Sequence, residues 1–154
     1  MVKLFYTTKV LDTTVSDIMK VIEENNLKKV LENTCTVKGF QSDNLLHLFS
    51  KKMLQEILPV SNLVEKIFHI HFIEYEKGGK QKEHNHKNTE EYSFILYLNN
   101  SDGCTVFKEP INKKISPKKG LLVIFSSDIN HYALESFKNK KVLVGAIQQK
   151  EIYG

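Results

Sequence analysis

Apolar residues in the N-terminal part of the chain recur at the three- and four-residue spacing of amphipathic helices. One predicted helix covers residues 15–31 and follows Thr13-Thr14 as its cap. A second begins after Ser42-Asp43 and ends before Pro59, because proline cannot continue a helix interior. The apolar positions that define the two faces are Val15, Ile18, Met19 and Ile22, and then Leu46, Phe49, Met53 and Ile57. Both helices are expected to pack these faces on another layer.

After residue 65 the pattern changes to short runs rich in β-branched and aromatic residues, which predict strands. These runs cover residues 67–75, 92–98, 105–107, 121–125 and 142–147, and an alternating run at residues 2–7 predicts an edge strand. Turn compositions lie between them, at residues 78–79, 99–103 and 117–120. Many short strands separated by turn signals predict a β-sandwich or barrel.

No linker rich in Ser, Gly or Pro separates the two halves, so we expect one domain over residues 1–154. The expected fold class is mainly β with N-terminal helices (α+β). Helices within about residues 13–58 would pack on the outside of a barrel formed by about residues 65–150. A chain of this length can bury a core without cross-links, and we interpret Cys35 and Cys104 as free thiols.

Composition excludes several classes of protein. The sequence has no run of about 18 apolar residues and no basic-then-apolar N-terminal segment, which predicts a cytoplasmic protein without a membrane span. All 22 basic residues are lysines, and the absence of arginine and of an aromatic-basic cluster argues against a nucleic-acid partner. A small-molecule or peptide substrate is the expected partner, and the helical face leaves homodimerisation open.

Closely spaced histidines are the strongest chemical signal in the chain. His84 and His86 would project from one face of a strand, and Glu90 would share that face if the strand continued straight. Imidazole and carboxylate donors suit iron, zinc or copper, and an open site of two histidines and one carboxylate is typical of non-heme Fe(II) oxygenases. We interpret the other His-x-His pair, His69 and His71, as the less buried face of a strand.

A third histidine, His131, follows the turn at residues 117–120 and a buried strand that ends at Phe125, and Lys141 comes ten residues after it. Other motifs stand around them: Lys38-Gly39-Phe40-Gln41-Ser42-Asp43, Tyr75-Glu76-Lys77-Gly78-Gly79, Leu96-Tyr97-Leu98-Asn99 and Gly103-Cys104-Thr105-Val106-Phe107. In order and spacing the chain resembles the Fe(II)/2-oxoglutarate-dependent oxygenases of the prolyl-hydroxylase type, including a branch found in bacteria and phages. The resemblance covers roughly residues 38–149 and implies a double-stranded β-helix, which is a jelly-roll or cupin-like barrel.

The resemblance implies a dioxygenase that uses Fe(II), 2-oxoglutarate and O2 to hydroxylate a peptide side chain or small metabolite, with succinate and CO2 as co-products. It implies His84, His86 and His131 as metal ligands. His86 stands where the family usually has an acidic ligand, so Glu90 is the alternative third ligand. Three neutral ligands would leave the centre one unit more positive than the usual set, which favours anionic co-ligands.

The resemblance also implies how the co-substrate is bound. Lys141 stands in the family's position for the cation that holds the far carboxylate of 2-oxoglutarate. A lysine provides one charge-assisted contact rather than a fork, so a second donor is expected. Tyr97 matches the family tyrosine that donates its hydroxyl there, and Tyr75 is expected to line the same pocket.

Two alternatives stay open. The spacing of Gly78, His84, His86 and Glu90 fits the first metal motif of cupins, which do not require 2-oxoglutarate. The second cupin motif would place a histidine three residues after its glycine, whereas His131 lies eleven residues beyond Gly120, which favours the oxygenase. The other alternative is a non-catalytic β-barrel binding module.

Overall fold

A computed structural model of the protein describes residues 3–30 and 35–151. Its helices are α1 (Asp12–Glu24), α2 (Lys51–Ile57) and α3 (Ser61–Val64), with a 3-10 turn at Leu46–Leu48 before α2. Its strands are β1 (Phe5–Lys9), β2 (Thr36–Gln41), β3 (Ile67–His84), β4 (Glu90–Tyr97), β5 (Thr105–Phe107), β6 (Lys113–Ile115), β7 (Leu121–Ser126), β8 (His131–Ser136) and β9 (Lys140–Gln149). In the described part of the chain, no helix is long and apolar enough to cross a membrane.

The strands form one curled antiparallel sheet in the order β1-β7-β4-β9-β3-β8-β5-β6, with β2 paired to β3. The 18-residue strand β3 causes the curl, because it changes partner along its length. Its first part, from Ile67 to Tyr75, pairs with β9, and its last part, from Gly79 to His84, pairs with β8. The predicted double-stranded β-helix is confirmed.

Alternation along the strands divides the apolar residues into two clusters. The outer face of the sheet packs against the helices, where Ile18 and Ile22 of α1 belong to the same cluster as Leu96 and Leu143. The inner face holds a second cluster: Ile73, Tyr75, Ile95, Tyr97, Phe107, Val123, Phe125, Ile129 and Val142. The helices therefore cover the outside of the barrel, and the inside is left for aromatic and polar groups.

The predicted helices differ from the observed ones at their ends. Helix α1 begins at Asp12 instead of Val15 and ends at Glu24, since Asn25 is a poor helix former whose side chain donates a hydrogen bond to the Val21 carbonyl. Residues 25–30 are not helical, and the predicted end at Leu31 lies outside the described residues. The second predicted helix is interrupted because Ser50 caps α2 anew, its hydroxyl accepting a hydrogen bond from the Met53 amide.

The predicted strands of the C-terminal half coincide with β3, β4, β5, β7 and β9, but three more strands were missed: β2, β6 and β8. The turn predicted at residues 78–79 is instead a bulged part of β3, where Gly78 has a φ of +82° that favours glycine. The N-terminal strand runs from Phe5 to Lys9 rather than over residues 2–7, of which residue 2 lies outside the described residues.

Gly145 marks a close contact between two neighbouring strands of the sheet. It lies opposite Phe94 in the pairing of β9 with β4, and a Cβ atom placed on it would lie 2.0 Å from Phe94 Cε2. The Phe94 side chain is 1% exposed and belongs to the buried cluster on the outer face of the sheet. The ring occupies the position that a side chain would need.

We expect Gly145→Ala to lower the free energy of unfolding by about 1–3 kcal/mol, the usual cost of overpacking a core. Urea unfolding of Gly145→Ala, Phe94→Leu and the double variant measures this cost. Because Leu is smaller than Phe, Gly145→Ala should lower the free energy of unfolding less in the Phe94→Leu background than in the wild type. An equal cost in both backgrounds would show that the ring does not impose the glycine.

Candidate metal centre

Three histidines meet where β3 and β8 come together. His84 ends β3 and lies directly opposite His131, the first residue of β8, while His86 lies in the turn after β3. One ring nitrogen from each histidine lies within 4.8 Å of the others, and among the described residues these three form the group that could hold a metal ion. Between Gln81 and His84, β3 has one residue more than the paired part of β8. Because of this extra residue, the side chains of Gln81 and His84 line the same cavity.

Backbone carbonyls fix the orientation of two of the rings. His84 Nδ1 lies 2.7 Å from the Lys82 carbonyl oxygen, and His131 Nδ1 lies 3.0 Å from the Ile129 carbonyl oxygen. Because a carbonyl only accepts, each Nδ1 carries the proton and donates it, which leaves Nε2 with a free lone pair. Metal-binding histidines are normally held in this way by a hydrogen bond from their other nitrogen.

Burial keeps the three imidazoles neutral. Together with the smaller effect of nearby histidines, it lowers the pKa of His131 to about 3 and that of His86 to about 4. Burial also lowers the pKa of His84, against a smaller opposing effect of its hydrogen bond to Lys82. At neutral pH all three rings therefore offer lone pairs rather than positive charge, and this donor set fits Fe(II).

Glu90, the alternative ligand, starts β4 directly behind this group and is 2% exposed. Its Oε1 lies 4.0 Å from His86 Nδ1 and 3.8 Å from His69 Nε2. The carboxylate accepts hydrogen bonds from the hydroxyls of Ser93, at 2.6 Å, and Thr89, at 3.0 Å. Burial raises the pKa of Glu90 to about 7 against the effect of these two bonds. Glu90 therefore neighbours the three-histidine group without belonging to it.

A cavity of about 180 Å³ opens beside the histidines. Its apolar wall includes Ile73, Ile95, Phe125 and Val144, and its polar wall includes Gln41, His69, His71, Gln81, Glu90 and Ser93. The prediction that His69 and His71 mark the less buried face of a strand is confirmed, since both are half-buried while Ile70 is buried. Their place beside the metal centre was not predicted. Both share the inward face of β3 with Tyr75 at two-residue spacing, and this alternation was the signal that could have found them.

The two adjacent lysines at the start of β9 point in opposite directions. Lys141, predicted to bind the co-substrate, lies beside Glu74, with its Nζ 3.9 Å from Glu74 Oε2 and its side chain partly exposed. Lys140 is 1% exposed and extends into the barrel, where its Nζ lies 4.4 Å from the centre of the Tyr75 ring and donates a 2.8 Å hydrogen bond to the Gly103 carbonyl. The lysine that the barrel encloses is therefore Lys140.

Tyr75 and Tyr97 lie inside the barrel with Lys140. Burial raises the pKa of both phenols, so they stay protonated. The Tyr97 hydroxyl lies 2.6 Å from the Thr105 hydroxyl, and either atom can be the donor. Both predicted tyrosines thus lie in the barrel interior near Lys140, and neither is among the residues that line the cavity beside the histidines.

Solved structures share the fold of this chain at low sequence identity. A prolyl-4-hydroxylase from Pseudomonas putida aligns over 96% of this chain and 93% of its own, with a TM-score of 0.70 and 14% identity. A Trichoplax adhaerens prolyl hydroxylase, in complex with a hypoxia-inducible-factor peptide fragment, aligns over 94% and 83%, with a TM-score of 0.67 and 10% identity. HygX from Streptomyces hygroscopicus, with nickel and 2-oxoglutarate bound, aligns over 92% and 81%, with a TM-score of 0.67 and 7% identity.

Sequence comparison places the chain in a family. None of the curated proteins matches it. The family model of the 2OG-Fe(II) oxygenase superfamily, however, matches residues 70–148, which is half of the chain and includes all three histidines of the cluster. The chain therefore belongs to the 2OG-Fe(II) oxygenase superfamily and is an oxygenase that uses Fe(II) and 2-oxoglutarate.

Proposed function

We propose that the protein is a hydroxylase in which His84, His86 and His131 hold Fe(II) and which releases succinate and CO2 as co-products. The observation that carries this proposal is the convergence of three neutral imidazoles within 4.8 Å beside a cavity. When bound, Fe(II) supplies the O2 chemistry that couples decarboxylation of 2-oxoglutarate to hydroxylation of a substrate C–H bond. The protein orients the ligands, of which His131 is buried and His84 and His86 are partly exposed.

His86 is the better candidate for the third ligand than Glu90. It shares the three-histidine group, whereas the Glu90 carboxylate already accepts hydrogen bonds from Ser93 and Thr89 and lies behind the His86 ring. A ligand role for Glu90 would require it to give up those bonds and displace His86. The arrangement favours three imidazole ligands, with the carboxylate outside them.

Lys140, rather than Lys141, is suited to bind the far carboxylate of 2-oxoglutarate. Its amino group uses one of its three donors on the Gly103 carbonyl and retains donors for a carboxylate. Burial lowers its pKa to about 8, which still leaves it mostly protonated at neutral pH. Tyr97 is the proposed second donor, since its hydroxyl can turn from Thr105 toward a carboxylate. Tyr75 would line the same space beneath the Lys140 ammonium.

A peptide side chain is the favoured substrate over a small metabolite. Next to the metal cavity an open groove follows β3 and β8, and Gln81 lines both. The groove combines the exposed apolar side chains of Leu134 and Phe137 with the charged residues Lys80, Lys82, Glu83, Lys108 and Glu135. An extended chain could lie along this surface while one side chain enters the cavity. The peptide complex of the Trichoplax hydroxylase supports the same substrate class.

We expect His131→Ala and His86→Ala each to abolish stoichiometric binding of Fe(II), because each removes one of three ligands. Equilibrium dialysis under argon measures the bound metal. His47→Ala, which removes an exposed histidine from the 3-10 turn, is the matched control and should bind like the wild type. If His86→Ala kept stoichiometric iron while Glu90→Ala lost it, the third ligand would be Glu90.

We expect Lys140→Ala to raise the Kd for 2-oxoglutarate about 10- to 100-fold while sparing iron, since a charge-assisted hydrogen bond contributes about 1.5–3 kcal/mol. Anaerobic titration of the Fe(II) protein, followed by the visible charge-transfer band of the chelate, measures this Kd. Lys141→Ala is the matched control and should stay close to the wild type. The opposite ranking of the two variants would return the role to Lys141.

Production of succinate from 2-oxoglutarate by the iron-loaded wild type, with Fe(II) and O2 present, is the direct test of the reaction. The His131→Ala variant should produce none. Wild-type protein that binds iron but shows neither the band nor succinate would instead be a cupin-type metalloenzyme. A wild type that binds no iron would be a binding module.

The buried lysine also predicts a pH effect on stability. The pKa of Lys140 is 10.5 unperturbed and about 8 in the folded protein, so between these values the unfolded chain binds more protons. Lys140 therefore makes the free energy of unfolding rise with pH across this window. Urea unfolding at pH 7.5 to 10.5 should show wild-type stability rising relative to Lys140→Met, while Lys141→Met follows the wild type. A pH-independent difference would show that Lys140 keeps its ordinary pKa when folded.

A further inference from the structure

The three histidines of the metal centre differ in what lies behind them. The Nδ1 atoms of His84 and His131 donate to backbone carbonyls, which are neutral acceptors. His86 Nδ1 instead faces the Glu90 carboxylate, 4.0 Å away. This distance is too long for a direct hydrogen bond but well within the range at which a buried charge acts on an imidazole. One ligand of the three is thus backed by an acidic side chain.

Surrounding groups hold the Glu90 carboxylate in place. The hydroxyls of Ser93 and Thr89 bind one oxygen each, and the backbone amide of Glu90 itself donates to the His86 carbonyl, which closes the turn between the two residues. The side chain is almost fully buried, so its position is set by protein contacts rather than by water. The structure therefore builds a fixed position for an acidic side chain behind His86.

His69 is a second imidazole beside this carboxyl group. Its Nδ1 is buried without a hydrogen-bond partner, while its Nε2 lies 3.8 Å from Glu90 Oε1. A buried N–H group without an acceptor is rarely tolerated. The tautomer of His69 with an unprotonated Nδ1 is therefore favoured over the one with a proton on Nδ1. The proton of His69 then sits on Nε2 and faces the carboxylate. Both neighbouring imidazoles can thus present N–H groups to Glu90.

We propose that Glu90 is a positioning residue that acts on the metal through His86 and returns to the centre the negative charge that an acidic ligand would have supplied. This inference rests on the proposed ligand set. Three neutral imidazoles leave the full charge of the metal uncompensated. A carboxylate behind a ligating histidine fixes its ring and raises its basicity, so the charge acts from outside the coordination sphere.

Titration of the purified protein with Co(II), an optical probe for Fe(II) sites, tests this role in Glu90→Gln. We expect the Kd for Co(II) to rise about 10- to 100-fold, the usual effect of removing such a partner, with the shape of the visible Co(II) spectrum unchanged. Azide, an anionic co-ligand, should bind the Co(II) protein more tightly in Glu90→Gln, because the centre becomes more positive. A purely structural role would not tighten anion binding.

Two further variants keep the test decisive. Glu91→Gln removes the same charge from an exposed neighbour and should leave Co(II) and azide binding unchanged. Ser93→Ala keeps the charge but removes the 2.6 Å hydrogen bond, so it should weaken Co(II) binding less than Glu90→Gln does, even if the latter folds poorly.

Unchanged Co(II) affinity in Glu90→Gln, or a loss equal to that in Glu91→Gln, would overturn the proposal. A changed Co(II) spectrum would overturn it as well, because Glu90 would then be a ligand. These outcomes differ from failure of the proposed function, in which the wild type itself would not bind the metal or form succinate.

Discussion

The site depends on one strand that changes its pairing partner. β3 is hydrogen-bonded to β9 through its first part and to β8 through its last part, and only the second pairing sets His84 opposite His131. The first pairing sets Tyr75 beside Lys140 at the other end of the barrel interior. β3 therefore carries His84 and pairs with the strands that carry His131 and Lys140, so sheet hydrogen bonds fix the relative position of these three residues. His86 follows in the turn after β3.

The barrel interior accepts groups that are costly to bury. Neutral histidines, a carboxylate and an ammonium group all lie there, and burial shifts the pKa of each toward its uncharged form. The outer face of the same sheet contributes apolar packing instead, with Phe94 pressed on Gly145 and the helices covering both. Because side chains alternate between the two faces of a sheet, the residues on one face can stabilise the fold while those on the other face form the functional site.

Much of this arrangement could be predicted from the sequence. The runs that became β4, β5, β7 and β9 carry strong alternation or continuous apolar character, and His84, His86 and His131 stand in an order that few other folds would require. The short strands β2 and β6 have little apolar character of their own, and they form because β3 and β5 offer them a partner edge. Such tertiary pairing leaves no local signal.

The two lysines show a different limit of sequence reasoning. Spacing from His131 located Lys141, but a shift of one residue along a strand reverses the face, so spacing alone does not decide whether Lys140 or Lys141 points into the barrel. Glu90 was identified from its spacing to His86 as though the strand continued straight. The chain turns between them, and this turn is what places the carboxylate behind the ring instead of beside it.

The extra residue of β3 between Gln81 and His84 constrains how the sequence can change. Gln81 and His84 are three residues apart, an odd number, yet both line the cavity because the bulge between them reverses the alternation. Loss of a single residue at 82 or 83 would straighten the strand and turn His84 toward the outside. A sequence alignment would still show all three histidines, although they could no longer meet at one metal site. A relative with such a deletion would thus keep the family's motifs without its chemistry, and strand length would identify it where residue identity could not.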